Sequence, residues 1–170
     1  MNAESRSARR QAQRIDPRVA DRLDEAQRLC DARSVRLTSL RRLVLEVLYA
    51  AGQPLGAYAL IECLEHRFGR RVSPPTVYRA LAFLTRERLV ARLPSRHAFV
   101  PCAHPAEAHG CVLFVCTACG TAIEIPDPGL SAFLTGEASD LGFDLDEPVI
   151  ELSGRCARCR PTPAAVTGAY

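Results

Sequence analysis

Four cysteines in two pairs are the residues of this 170-residue chain whose spacing points most directly to chemistry. One CxxC pair is Cys116 and Cys119, and the other is Cys156 and Cys159, with 36 residues between the pairs. Each pair can chelate a metal ion from one tight turn, and four thiolates complete a closed tetrahedral site of the kind that holds structural zinc. Two redox dithiols are the alternative, but neither pair lies in a thioredoxin-like βαβ pattern. The spacing therefore predicts one structural Zn²⁺ that closes a β-α-β unit.

Further potential metal ligands lie in the same half of the chain. The N-terminus lacks a basic-then-apolar signal pattern, which predicts a cytoplasmic protein whose thiols stay reduced. No run of 18 apolar residues occurs, so the sequence predicts no membrane-spanning segment and no membrane partner. Reduced thiols clustered with imidazoles indicate metal binding. The additional Cys and His residues of this half are Cys102, Cys111, His97, His104 and His109.

Charge divides the chain into two unlike parts. Residues 1–96 carry 19 Arg against 10 acidic residues, whereas residues 97–170 carry 3 Arg against 9 acidic residues. A basic part beside an acidic one is typical of proteins in which one part contacts nucleic acid. The competing interpretation is a solvated basic surface, because every cation in this chain is Arg and none is Lys.

The basic part has the apolar periodicity of a helical DNA-binding domain. Ser73-Pro74-Pro75 is a helix-start signal, and the helix that follows buries Val77 and Leu81 while exposing Thr76, Tyr78 and Arg79. Three helices before a β-hairpin predict a winged helix-turn-helix. The predicted helices and hairpin strands lie at 19–32, after Thr38, 57–68, after Ser73, 89–93 and 97–101.

The acidic part has more strand signals. β-rich runs flank the CxxC pairs at 112–115, 122–125 and 148–152, and a helix is predicted at 130–141. The expected fold class is therefore α+β, with an N-terminal winged helix-turn-helix domain and a C-terminal α/β domain. The expected divisions are a flexible basic leader at 1–17, a DNA-binding domain at 18–101, a metal-binding domain at 102–160 and a flexible tail at 161–170.

These motifs together resemble the ferric uptake regulator (Fur) superfamily of metal-sensing repressors. The resemblance spans residues 20–160 and rests on Arg36-Leu37-Thr38 with Arg41, on PTVYRAL at 75–81, and on the two CxxC pairs. Within the superfamily the chain is most similar to the zinc uptake regulators, which share Ala57-Tyr58 and a cysteine directly after the wing. The resemblance implies a C-terminal dimerisation domain, a homodimer on palindromic double-stranded operator DNA, and Zn²⁺-dependent repression of zinc-uptake genes.

The resemblance also implies which residues contact DNA. Tyr78 and Arg79 open the third helix of the winged-helix domain, where recognition helices meet base edges and phosphates. An Arg side chain can bind a guanine or a phosphate with two hydrogen bonds, and a Tyr can stack or donate to the backbone. Thr76 shares this exposed turn, and Tyr58 matches a second contact position. The alternative for both tyrosines is half-buried packing.

A second, regulatory zinc site between the domains is implied as well, which makes two Zn²⁺ ions per protomer. Cys102, His109 and Glu124 match three ligand positions of the zinc uptake regulators. The family's fourth ligand, a His or Asp that opens the wing, falls at Ala91 here, and a methyl group binds no metal. The substitutes that the sequence leaves open are His104, Cys111, water and, at the more distant hairpin tip, His97.

Two other functions compete with a zinc-sensing repressor. A three-ligand zinc with an open position is what metal catalysis needs, so a zinc enzyme is the remote alternative. No H-x-E…P-C-x-x-C or H-E-x-x-H pattern occurs to support it. The nearer alternative is a regulator of the same family that senses iron, manganese or peroxide. A cysteine ligand favours zinc because harder metals prefer nitrogen and oxygen. We therefore expect a regulator, not an enzyme.

Overall fold

A computed structural model describes residues 16–106, 111–145 and 149–161. Almost all of the predicted leader and tail lie outside these ranges. Helix α1 (Pro17–Ala32) begins at Asp16, whose carboxylate accepts a hydrogen bond from the Arg18 N–H at 2.8 Å. Pro17 is the first helical residue, where a missing N–H costs nothing. The predicted end of this helix at Ala32 is confirmed.

Three more helices pack with α1 around one apolar core. Gly52 and Gly69 end the first two of them with positive φ angles of 61° and 65°, a conformation that glycine adopts without strain. Thr38 and Ser73 occupy the predicted cap positions, although neither side chain makes a capping hydrogen bond. These helices are α2 (Ser39–Ala51), α3 (Ala57–Phe68) and α4 (Pro74–Arg86). Within the described residues, no helix is long and apolar enough to cross a membrane.

A small antiparallel sheet completes the N-terminal domain. Its strands are β1 (Leu55–Gly56), β2 (Val90–Leu93) and β3 (Ala98–Pro101), in the order β1-β3-β2. A 3₁₀ turn at Pro94–Arg96 joins β2 to β3. The helices followed by this hairpin confirm the predicted winged helix-turn-helix.

The C-terminal domain is a second three-stranded sheet with one helix. Strand β4 (Cys111–Cys116) lies in the centre, antiparallel to β5 (Ala122–Pro126) and parallel to β6 (Val149–Gly154). Helix α5 (Pro128–Asp140) lies between β5 and β6 in the chain. It begins two residues before the predicted start, where the Asp127 carboxylate caps it by accepting from the Leu130 N–H at 2.9 Å. The predicted β-α-β unit and α+β class are confirmed.

The wing rests against the second sheet. Ser95, in the turn of the wing, donates hydrogen bonds to the Glu151 carboxylate of β6, and Arg96 donates to the Cys116 carbonyl at 3.2 Å. Buried apolar side chains from β2, β3 and β4 form a small cluster between the domains. This interdomain cluster consists of Ala91, Leu93, Val100, Cys102, Leu113 and Val115.

Candidate metal sites and nucleic-acid interface

The four CxxC cysteines converge at one end of the second sheet. Cys116 ends β4, and Cys156 and Cys159 follow the end of β6. Strands β4 and β6 run parallel with Cys116 beside Gly154, so the turns after both strands leave the same edge of the sheet. As a result the four sulfur atoms all lie within 4.8 Å of one another, although the two pairs are far apart in the chain.

The spacing of these sulfur atoms fits zinc. Zn–S bonds of about 2.3 Å at tetrahedral angles place the sulfur atoms about 3.8 Å apart. Cys119 Sγ lies 3.7 Å from Cys156 Sγ, which joins the two pairs at nearly this distance. The Cys156 N–H also donates to Cys116 Sγ at 3.4 Å, a contact that orients the second pair toward the first. Four soft donors with this geometry suit a closed structural site.

Hydrogen bonding shifts the pKa values of Cys116, Cys119 and Cys159 in different directions. The backbone N–H groups of Cys119 and Cys156 donate to Cys116 Sγ and lower the pKa of Cys116 to about 5. Hydrogen bonding with Thr121 also lowers the pKa of Cys119. The Cys119 and Cys156 thiols raise the pKa of Cys159 to about 12. A cysteine binds a metal ion as the thiolate. The hydrogen bonds from the backbone therefore favour the form of Cys116 that binds metal.

Two predicted ligands of the second site, Cys102 and Glu124, lie near the junction of the domains. Cys102 follows β3, is 7% exposed, and donates its N–H to the Leu89 carbonyl at 3.0 Å. Glu124 lies on β5 in the other domain. Its Oε2 accepts a hydrogen bond at 2.7 Å from the N–H of Ala103, the residue directly after Cys102. The loop at 102–106, called here the interdomain loop, is therefore held to the second sheet directly after Cys102.

The structure describes only some of the other predicted ligands of this site. His104 is exposed on the interdomain loop, two residues beyond Cys102. His109 lies outside the described residues, and of Cys111 only the backbone at the start of β4 is described. His97 lies in the turn of the wing and lines a cavity beside Tyr78 of α4, so it lies beside the predicted recognition helix.

The surroundings of Cys102 are largely apolar. Ala91, the residue that the resemblance aligns with the family's fourth ligand, is buried in the same interdomain cluster as Cys102. Burial raises the pKa of the Tyr49 phenol to about 12, with the Cys102 thiol and the Glu124 carboxylate adding to the shift and the Arg22 guanidinium opposing it. Tyr49 and Arg22 were not among the site residues predicted from the sequence. Residues in α1 and α2 gave no motif that could have joined them to this loop.

The exposed face of α4 forms the third candidate site. Its inner face is buried as predicted, and Thr76, Tyr78 and Arg79 lie on the solvent side. Tyr78 is 46% exposed, and Tyr58 at the start of α3 is 75% exposed, so packing in the core does not account for either ring. Ala57, next to Tyr58, lines the same cavity as Tyr78, which places the start of α3 beside α4.

Positive charge surrounds this face. A groove between α4 and the wing has Tyr78 and Phe99 as aromatic walls and carries two arginines, Arg86 and Arg92. Both arginines are exposed, and Arg86 also pairs with the Glu87 carboxylate at 3.2 Å. Exposed guanidinium groups around an aromatic surface can bind phosphates and stack on bases.

Known proteins share this sequence and architecture. The model of the Ferric uptake regulator family matches residues 32–153. The zinc uptake regulation protein of Escherichia coli (strain K12) is 34% identical over 138 residues, which are 81% of this chain and 80% of that protein. The zinc uptake regulation protein of Mycobacterium tuberculosis (strain ATCC 25618 / H37Rv) is 29% identical over 132 residues, 76% of this chain and 98% of that protein.

Solved structures agree with the sequence matches. A zinc uptake regulator complexed with zinc and DNA superposes with a TM-score of 0.77 at 32% identity, covering 84% of this chain and 95% of that chain. The crystal structure of holo XcZur superposes with a TM-score of 0.73 at 36% identity, covering 80% of this chain and 94% of that chain. The likeness therefore extends over both domains.

Proposed function

This chain belongs to the ferric uptake regulator family, and from that premise we propose that it is a zinc-responsive DNA-binding repressor of zinc-uptake genes. The observation that carries the proposal is the hydrogen bond by which Glu124 of the second domain holds the N–H of Ala103, the residue directly after Cys102. A ligand held by the side chains of Cys102 and Glu124 would fix one domain relative to the other. Members of this family are transcriptional regulators, and no enzymatic role is proposed.

We propose two zinc ions per protomer. Cys116, Cys119, Cys156 and Cys159 would hold the structural ion, because their sulfur atoms all lie within 4.8 Å of one another and Cys119 Sγ lies 3.7 Å from Cys156 Sγ. Cys102, His104, His109 and Glu124 are the proposed regulatory ligands, with Cys111, His97 or water as substitutes for His104. When bound, the second ion supplies a bond between the domains. Cys102 and Glu124 orient that bond, and the apolar side chains around Cys102 keep water away from it.

The proposed DNA surface is the exposed face of α4 with the start of α3. Arg79 would bind a guanine edge or a phosphate, and Tyr58, Thr76 and Tyr78 would contact bases or the backbone beside it. The zinc uptake regulator solved with zinc and DNA shares this arrangement of domains, and the excess of arginine in residues 1–96 supplies the charge. The proposed ligand is a double-stranded operator.

A second copy of the chain is the proposed partner of the second sheet. Large apolar side chains of this domain remain exposed, more than a soluble monomer of this size ordinarily shows. A homodimer would bury them and place two winged helices at the spacing of two operator half-sites. The exposed side chains are Phe114, Ile123, Ile125, Phe133, Leu141, Phe143, Leu145, Val149 and Leu152.

The location and the division of the chain are proposed on the same basis. A protein that regulates transcription acts where the DNA is, which in a bacterial cell is the cytoplasm. The DNA-binding domain would comprise residues 18–101 and the dimerisation domain residues 102–160. The predicted leader at 1–17 and tail at 161–170 lie almost entirely outside the described residues.

Zinc titration of DNA binding tests the proposal. A labelled duplex is first selected from random sequences by the zinc-loaded dimer, and its affinity is then measured against free Zn²⁺, Fe²⁺ and Mn²⁺. We expect zinc to raise the affinity by about 5- to 150-fold, the usual range of such coupling. A response to iron or manganese but not to zinc would support the alternative regulator and contradict the proposal.

Substitutions then identify the zinc site that responds. Cys102→Ser should lose the response while keeping the four-cysteine zinc and the dimer. Cys63→Ser is the matched control, because Cys63 is exposed on α3. His104→Ala weakens the response if His104 is the fourth ligand, and Cys111→Ser weakens it if Cys111 is. An unchanged zinc midpoint in Cys102→Ser would place the sensor elsewhere.

A further inference from the structure

The backbone of Ala103 is held from both domains at once. Its N–H donates to the Glu124 carboxylate of β5 at 2.7 Å, as described above, and its carbonyl accepts from Arg22 Nη1 of α1 at 2.7 Å. Both contacts join a charged side chain to a peptide group, and such hydrogen bonds are stronger than neutral ones. One residue directly after Cys102 therefore links the dimerisation domain to the first helix of the chain.

A second arginine, at the end of α1, also donates a hydrogen bond to this loop. Arg33, directly after the helix, donates to the Pro105 carbonyl at 2.8 Å and to the Glu87 carbonyl at the end of α4. Arg22 and Arg33 are 11 residues apart, which is three helical turns, so both leave the same side of α1. The interdomain loop thus has two anchor points on one helix.

Helix α1 is itself fixed to the winged-helix domain. Leu23, Ala26 and Cys30 are fully buried in the core shared with α2, α3 and α4. The Arg22 guanidinium lies 5.8 Å from the centre of the Tyr49 ring of α2, which restricts where its fork can point. A loop held by Arg22 and Arg33 is therefore held to the DNA-binding domain as a whole.

We propose that α1 is a clamp for the interdomain loop, in which Arg22 and Arg33 are positioning residues for the zinc response. By holding the carbonyls of Ala103 and Pro105, they restrict the backbone positions of Cys102 and His104 relative to Glu124. The clamp itself depends only on the contacts within the chain, whereas its effect on zinc sensing rests on the proposed function. The family match begins at residue 32, so Arg22 lies before the matched segment.

Hydrogen exchange of the zinc-loaded dimer without DNA tests the clamp. Exchange is followed in peptides that cover residues 99–106, for the natural sequence, Arg22→Ala, Arg33→Ala and the control Arg28→Ala. Arg28 is exposed on the same helix, away from the side that carries Arg22. We expect exchange in this segment to accelerate about tenfold or more in Arg22→Ala and Arg33→Ala, and not in Arg28→Ala. Unchanged exchange in both variants, with the α1 peptides still protected, would overturn the clamp.

The zinc midpoint of DNA binding tests its role in sensing. Arg22→Ala should raise the free-zinc midpoint by about fivefold or more and leave the zinc of the four cysteines in place. Arg22→Lys keeps the charge but loses the planar guanidinium group. Its free-zinc midpoint should therefore lie between those of Arg22→Ala and the natural sequence. Faster exchange with an unchanged midpoint would overturn the role in sensing. If the natural sequence itself shows no zinc-dependent binding, the proposed function fails, and the exchange result still decides the clamp.

Discussion

The two domains of this chain are held together by different forces. In the winged-helix domain, fully buried leucines recur along all four helices, and one apolar core connects them. In the described part of the second domain, Leu113 of β4 is the one leucine buried to that degree, and α5 has no buried residue at all. The first domain has enough buried apolar surface to fold by itself, whereas the second does not.

A small domain with a thin core needs other sources of stability. Metal binding to four thiolates and burial against a second copy are the two that this chain offers. The four cysteines close the sheet at one end, and the exposed apolar side chains cover its open face. We therefore expect the stability of the second domain to depend on metal binding and on pairing with a second copy.

The largest effect should come from removing one structural zinc ligand. Cys156→Ser should unfold the second domain, because binding energy at a structural site is folding energy. The helical circular dichroism of the winged-helix domain should persist, since its core does not include this site. Cys30→Ser, at a buried thiol far from the sheet, serves as the control for a lost cysteine. A folded, dimeric Cys156→Ser protein would remove the contrast between the domains.

Truncating one apolar side chain in each domain should give opposite results. Leu84 is fully buried in α4, so Leu84→Ala should lower the free energy of unfolding of the winged-helix domain by about 2–5 kcal/mol. Phe133 on α5 is 61% exposed, so Phe133→Ala should leave protomer stability within about 0.5 kcal/mol. It should instead weaken the dimer, measured by sedimentation equilibrium. Equal losses of unfolding free energy in both variants would contradict the comparison.

Loss of a DNA contact should leave both domains intact. Arg79 lies on the exposed side of α4, away from the four cysteines and from the interdomain loop. Arg79→Ala should reduce operator affinity by about 5- to 150-fold, as expected for one lost arginine contact of about 1–3 kcal/mol. Zinc content and dimerisation should not change. Arg28→Ala on α1 is the matched arginine control, and equal affinity of the two variants would remove α4 from the interface.

The smallest expected effect compares two glycines. Gly120, between the zinc-binding turn and β5, has φ +79°, and a Cβ there would lie 2.8 Å from Nη1 of Arg96 in the wing. Gly52 at the end of α2 has φ +61° with open space around it. Both Gly→Ala changes should cost about 1–2 kcal/mol from backbone strain. Only Gly120→Ala should also speed hydrogen exchange in the wing turn, because Arg96 must move. Identical exchange in the two variants would show that the wing does not depend on this turn.

Local patterns in the sequence were sufficient for the elements and for one site. Apolar periodicity and the stop glycines predicted α3 at its observed bounds, 57–68, and the paired cysteines predicted the cluster that the parallel strands assemble. Both depend on neighbours in the chain: a helix is set by residues three and four apart, and a CxxC turn by four consecutive residues. The exposure of Tyr58 and Tyr78 was less certain from the sequence, because an aromatic ring at a helix start fits packing as well as binding.

Only the tertiary structure decided how the two domains are joined. Arg22 and Ala103 are 81 residues apart, and Arg33 and Pro105 are 72 apart, so no periodic pattern connects them. The same holds for Glu124, which the sequence offered as a metal ligand and the structure also shows holding the Ala103 N–H. Such contacts use backbone groups, which every residue carries, and their partners are chosen by the packing of whole helices and sheets. Residue types therefore revealed which atoms could bind zinc. The packing of α1 in the helical core and the hydrogen bonds of Arg22 and Arg33 decided where the loop that carries Cys102 lies.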